Sequence, residues 1–155
     1  DEYPQLVKSE LKEAALKLSK NALMFDEFIM REAEKGNISS DSFTTEVAEI
    51  KLHGHCHQKA LATTDTCKKM LELPANYKVS EIPSGCCGMA GAFGYEKEHY
   101  DISMKIGEMV LFPAIRKTSE NVIIAAPGTS CREQIEHGTG RKALHPVEVL
   151  YGAMK

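Results

Sequence analysis

The run Val122-Ile123-Ile124-Ala125-Ala126 narrows the possible folds of this chain more than any other feature. Consecutive apolar, β-branched residues describe a strand with no solvent-facing side, and such strands belong to parallel sheets covered by helices on both faces. The run empties into Pro127-Gly128-Thr129-Ser130-Cys131, where Thr129 or Ser130 can cap a helix that continues through His137 and stops at Gly138 to Gly140. Three more segments repeat this design. Val47 to Leu52 alternates like a strand and runs into His53-Gly54-His55-Cys56-His57. Tyr77 to Ile82 enters the stretch Ser84-Gly-Cys-Cys-Gly-Met-Ala-Gly-Ala-Phe-Gly-Tyr95, and Lys142 to Leu144 meets His145-Pro146.

Helical patterns lie between these strands. Gln58 to Leu73 carries Ala60, Leu61, Thr64, Cys67, Met70 and Leu71 on its inner side, and Pro74 closes it. Glu98 to Lys117 carries Ile102, Ile106, Met109, Val110 and Phe112, with Pro113 as a kink or restart. Proline at 146 suits the first turn of a closing helix through Met154. The alternation predicts an α/β fold: a parallel sheet of about four strands with helices on both faces.

Ahead of it, Gln5 to Lys35 reads as helix, with Leu6, Leu11, Ala14, Ala15, Leu18, Ala22, Phe25, Ile29 and Ala33 on one stripe. A single straight helix of that length would overhang a small domain, so a break is expected near Ser19 to Asn21. The expected organisation is an N-terminal helical segment over residues 1–36, a polar loop over 38–45, and an α/β domain over 46–155. The whole reads as one domain. It begins at Asp1, inside helix-forming sequence, which points to a piece of a longer protein.

Composition excludes some classes of function. A formal net charge of -3 with no basic run gives no general affinity for nucleic acid or an anionic membrane. There is no apolar stretch of membrane-spanning length and no signal-peptide pattern, so the expected location is cytoplasmic, peripheral attachment at the inner face of the cell membrane being compatible with it. The 5 cysteines, Cys56, Cys67, Cys86, Cys87 and Cys131, do not form a secreted disulfide framework; in a reducing compartment such residues bind metal, do redox chemistry or lie buried.

Chemistry gathers where the strands end. Each expected strand leads at its carboxyl end into possible ligands: His53, His55, Cys56 and His57, then Cys86 and Cys87, then Cys131, then His145. In an open parallel sheet these ends line one edge, where such folds bind their ligands. Thiolates suit zinc or iron–sulfur clusters, and the vicinal pair favours a cluster, whose different irons can accept neighbouring thiolates that point apart. Gly85 and Gly88 would let backbone amides approach cluster sulfurs. Cys56, Cys86, Cys87 and Cys131 are therefore the candidate metal ligands, and Cys67, mid-helix among alanine and methionine, is a core residue. For His55, His57 and His145, ligation and bracing of the loops fit equally. His53 reads as packing, His99 and His137 as surface, and Gly91 to Gly94 lacks the ending of a phosphate-binding loop. Thiol or disulfide catalysis by Cys86 and Cys87 is a minor alternative without a Cys-x-x-Cys helix start.

His53-Gly-His-Cys-His57, Ser84 to Tyr95 and Ala126-Pro-Gly-Thr-Ser-Cys131 resemble the cysteine-rich CCG domain. That domain occurs in heterodisulfide reductase, in the iron–sulfur component of glycolate oxidase and in the iron–sulfur part of FAD-linked D-lactate or D-2-hydroxyacid dehydrogenases, the last being most similar. The resemblance runs from about Ala22 to the end. It implies that Cys56, Cys86, Cys87 and Cys131 bind an iron–sulfur centre, of four-iron type, with Gly85, Gly88, His55 and His145 around it. It also implies partners: a preceding CCG domain and a FAD-linked dehydrogenase domain that carries the flavin. Electrons would pass from flavin to an acceptor, the substrate being a 2-hydroxyacid of the lactate, glycolate or 2-hydroxyglutarate kind. This chain has no recognisable flavin site and is not expected to oxidise the acid alone. The fuller family pattern ends in Cys-x-x-Cys, whereas Gly128 stands three residues before Cys131 here. That departure leaves a conventional four-iron cluster or zinc as the expected occupant, with His55 or His145 available to replace the absent thiolate. A zinc-holding structural or docking module without a redox role is the alternative function.

Overall fold

The computed structural model describes residues 2–155. Four strands, β1 (Ala48–Leu52), β2 (Tyr77–Glu81), β3 (Ile123–Ala125) and β4 (Ala143–Leu144), form one parallel sheet in the order β2-β1-β3-β4. Ile50 pairs with Val79 on one side and Ile123 on the other, and Ala125 pairs with Leu144.

Helices α1 (Tyr3–Leu6), α2 (Lys12–Asn21) and α3 (Phe25–Glu34) precede the sheet. They are followed by α4 (Cys56–Leu61), α5 (Asp65–Leu71), α6 (Tyr100–Met109), α7 (Leu111–Arg116), α8 (Thr129–Thr139) and α9 (Pro146–Gly152).

The central strand β3 shows why its sequence is apolar throughout. Ile123 and Ala125 face one core with Ile50, Leu52, Met70, Leu71 and Val149, supplied by β1, α5 and α9. Ile124 and Ala126 face the other, with Phe112, Ile115, Cys131 and Ile135 from α7 and α8. A period-2 strand flanked by two cores has no polar side to show.

Three expected helices are broken. The long N-terminal one stops after Asn21 and restarts at Phe25, slightly later than expected, with Glu27 accepting a hydrogen bond from the Met24 N–H (2.8 Å) at the restart. Its stripe also divides: Ile29 packs on the core, whereas Leu11 and Leu18 are exposed. The expected helix from Gln58 to Leu73 is two, α4 and α5, because Thr64 turns inward to donate to Glu81 (2.7 Å) and its neighbours leave the helix. The break expected at Pro113 falls at Val110, so that proline sits in the first turn of α7, where its missing N–H costs nothing.

Connections decide where the site lies. From β1 the chain moves outward to β2, and from β3 it moves the opposite way to β4. The helices that follow β1 and β3 lie against opposite cores, α5 with the first and α8 with the second. Strand order therefore reverses between β1 and β3, and the crevice at their carboxyl ends is the place where open α/β sheets bind ligands.

Candidate metal centre

His53 is the first residue past β1. Its N–H donates to the Ala125 carbonyl (2.8 Å), extending the pairing with β3 and fixing the residue at the crevice floor. Its side chain is fully buried. Across the crevice, Cys131 lies in the first turn of α8 and Cys87 in the loop after β2, both buried. The ligand atoms of His53, Cys87 and Cys131 all lie within 4.8 Å of one another.

The loop from Gly85 to Gly94 surrounds the thiols with amides. Gly88 has φ +101, and a side chain there would run into the Ser103 carbonyl of α6, so only glycine fits. Ala90 and Gly91 also have positive φ, at 41 and 71, which gives the backbone a concave course. The Gly88 N–H donates to Cys86 Sγ (3.2 Å), and the Met89 and Ala90 amides turn toward Cys87 and Cys86 respectively. Gln134 of α8 fastens the loop, donating to the Cys87 carbonyl (3.2 Å) and to Ser103 Oγ (2.9 Å).

These surroundings set the charge on the thiols. Cys87 is held well below the ordinary thiol value of 9.0, chiefly by the Cys131 thiol and then, against burial, by His53 and the Met89 amide. Cys131 moves the other way, raised by the hydrogen bond with Cys87, by burial and by the nearby charges of Cys87, Cys56 and Cys86. The ionised form is thus favoured at Cys87 over Cys131, and the thiolate is the form in which cysteine binds metal. Cys86 is half-buried and Cys56 exposed at the start of α4; both are near enough to influence Cys131 by charge. Cys67 lies apart, in the core under α5, where burial pushes its thiol up to about 12.

The donor set fits a soft metal or an iron–sulfur centre. It combines a thiolate favoured by its surroundings, further thiols at the rim and a buried imidazole nitrogen, His53 Nε2, that has no hydrogen-bond partner. From the sequence His53 reads as packing. It is packed, but against the two thiols. Its position one residue beyond the strand was the signal, masked by the nearby His55 and His57, which stand closer to solvent.

A cleft of about 920 Å³ opens beside this group, lined by His55, His57, Gly128 and His145 together with residues of the α2–α3 junction. His145 caps α9: its Nδ1 accepts from the Val147 N–H (3.1 Å), while Glu148 accepts from its own N–H (2.7 Å). Burial, and then Arg132, lower its pKa, and with Nδ1 engaged at the start of α9 it is Nε2 that remains for the cleft. Gly85 is exposed, and a side chain built there would meet nothing.

Gly128 has an ordinary φ of -74, so its role is one of space. A Cβ there would stand 2.6 Å from His55 Cδ2 and 2.9 Å from Cys131 Sγ. The His55 ring occupies the room in which a side chain at 128 would lie. For Gly128→Ala we expect fold stability to stay within about 1 kcal/mol, because the steric cost is offset by the entropy a glycine loses on folding. Metal retention should nevertheless fall, as His55 and Cys131 are pushed apart. Paired urea unfolding and metal analysis check this, and unchanged metal content would refute it.

Comparison with known proteins places the chain beside dehydrogenases. It is 29% identical over 106 residues to one component of the anaerobic glycerol-3-phosphate dehydrogenase of Escherichia coli. It is 35% identical over 78 residues to D-2-hydroxyglutarate dehydrogenase of Escherichia coli, and 32% identical over 102 residues to that of Pseudomonas putida. These matches cover 68%, 50% and 65% of this chain. The chain spans about a quarter of the first relative (26%) and a tenth or less of the others (8% and 10%). No protein-family model and no solved structure matches. What the chain resembles, then, is parts of dehydrogenases.

Proposed function

We propose that this chain is an iron–sulfur electron-transfer domain of the CCG type, belonging to a FAD-linked 2-hydroxyacid oxidoreductase. The observation that carries the reading is the convergence of His53, Cys87 and Cys131 at the reversal of strand order, with Cys56 and Cys86 at the rim. The similarity to dehydrogenase parts supports it. The α/β unit over residues 46–155 would hold the centre, and the helical segment over 1–36 would cover one side of the cleft, where Lys20, Leu23 and Met24 already line it. Cys56, Cys86, Cys87 and Cys131 are the proposed thiolate ligands, with the Gly88 amide and the His145 N–H as hydrogen-bond donors to the centre.

Such a centre supplies one-electron storage near a protein surface. A flavin elsewhere in the parent protein would take two electrons and two protons from the hydroxyacid, leaving a 2-oxoacid. The centre held by these cysteines would then supply a path by which the electrons leave singly to an acceptor while the protons pass to solvent. The part played by this chain is to shield the thiolates and direct amides at them, which tunes the potential.

Anaerobic reconstitution with iron and sulfide tests the reading. We expect a brown protein with matching iron and sulfide content whose visible absorption bleaches on reduction; a colourless, iron-free product would sink it. One observation favours a second reading. A set that includes an imidazole as well as thiolates is also what structural zinc sites use, and stoichiometric zinc with no redox response would establish that docking or structural role instead. Among the described residues no helix is long and apolar enough to cross a membrane.

A further inference from the structure

We infer that His53 Nε2 is itself a ligand of the metal centre, which makes the donor set mixed imidazole and thiolate, and that Ser84 is the positioning residue that fixes the required tautomer. The inference rests on the proposed metal-binding reading but adds a ligand that neither the cysteine pattern nor the resemblance supplies.

The imidazole is held from two sides. Its backbone is tied to β3 through the Ala125 carbonyl, and its Nδ1 lies 2.7 Å from Ser84 Oγ. Ser84 is buried and itself fixed: its N–H donates to the Ile82 carbonyl (2.7 Å), and its own carbonyl accepts from Lys59 Nζ (3.0 Å). The serine hydroxyl has the Ile82 carbonyl oxygen at 3.5 Å as an acceptor for its proton. It is therefore able to accept from the ring, and the tautomer with the hydrogen on Nδ1 and the lone pair on Nε2 is the one that a metal at Nε2 requires. Nε2 is buried without a hydrogen-bond partner, and the ring belongs to the same close group as Cys87 Sγ and Cys131 Sγ. A buried ring nitrogen left without a partner is rare in folded proteins. Metal-bound histidines characteristically donate through the other ring nitrogen, which fixes tautomer and orientation, and Ser84 provides that acceptor.

Cobalt(II), added anaerobically to the whole chain in its reduced form, is the probe. X-ray absorption of the loaded wild type should show sulfur scatterers together with the outer-shell pattern of an imidazole ring. In His53→Cys the imidazole pattern should vanish and the thiolate-to-cobalt charge-transfer band should grow, a gain that loss of packing cannot produce. Ser84→Ala should keep the ligand but weaken cobalt binding about 10–100-fold, the range for groups that orient a metal-bound histidine. Sulfur scattering that depends on Cys87 without any imidazole pattern would overturn the His53 assignment and leave the cysteine centre standing. Failure of the wild type to bind cobalt would overturn both. An unchanged charge-transfer band in a folded, cobalt-loaded His53→Cys protein would also refute the assignment.

Discussion

Replacement of Cys87 by serine is expected to abolish metal binding. A hydroxyl is close in size to a thiol but keeps its proton at neutral pH, so the loss is of charge and softness, with little change of shape. Cys87 is the thiol whose ionised form the fold favours most strongly, through Cys131, His53 and the Met89 amide. Its removal should cost more than the roughly 10–100-fold in affinity that supporting groups around a metal contribute. Metal analysis after anaerobic reconstitution measures this. The matched control is Cys67→Ser, which changes a thiol in the core under α5 and should leave metal content untouched while lowering stability. Wild-type metal content in the Cys87 variant would remove the foundation of the proposed function.

Phe112→Ala should produce the largest loss of stability. The ring is fully buried in the core beneath α7 and α8. It lies against two glycines on different helices, Gly107 of α6 and Gly138 of α8, so closely that a side chain at either would strike it. Those glycines let two helix backbones approach one aromatic ring, and the backbone on those two sides cannot readily close the space the ring leaves. Truncating a buried phenylalanine costs about 3–5 kcal/mol, a large share of the roughly 5–15 kcal/mol that holds a domain folded. Urea unfolding should show a lower midpoint at nearly unchanged slope. A shift worth less than about 1 kcal/mol would mean that the site collapses readily, contrary to the backbone packing around the ring.

Much of the fold was legible because its signals are local. The all-apolar Val122–Ala126, the alternating Val47–Leu52 and the glycine stop after α8 each report on their own segment, and the parallel α/β architecture follows from their order. The helix breaks were less legible. Thr64 leaves its helix to reach Glu81 on β2, a long-range hydrogen bond that no local periodicity announces. The same holds for the apolar stripe ahead of α3, which predicts a burial that the described residues do not provide for Leu11 and Leu18.

In the site the division is sharper. Sequence alone determined which residue types lie at the strand ends, since thiols, imidazoles and glycines there follow from chain order and strand period. It assigns His53 to packing and leaves His55, His57 and His145 equally open to ligation or bracing, because a side chain's neighbours across the sheet are not written in its own segment. Only the tertiary structure decided that His53 points down between β1 and β3 toward Cys87 and Cys131, that His55 fills the room beside Gly128, and that His145 spends one nitrogen on capping a helix. The physical reason is that a side chain's role at a metal centre depends on burial and on what its other nitrogen touches. Both are set by strands and loops distant in sequence, through contacts such as Ser84 to His53 that exist only once the sheet has formed.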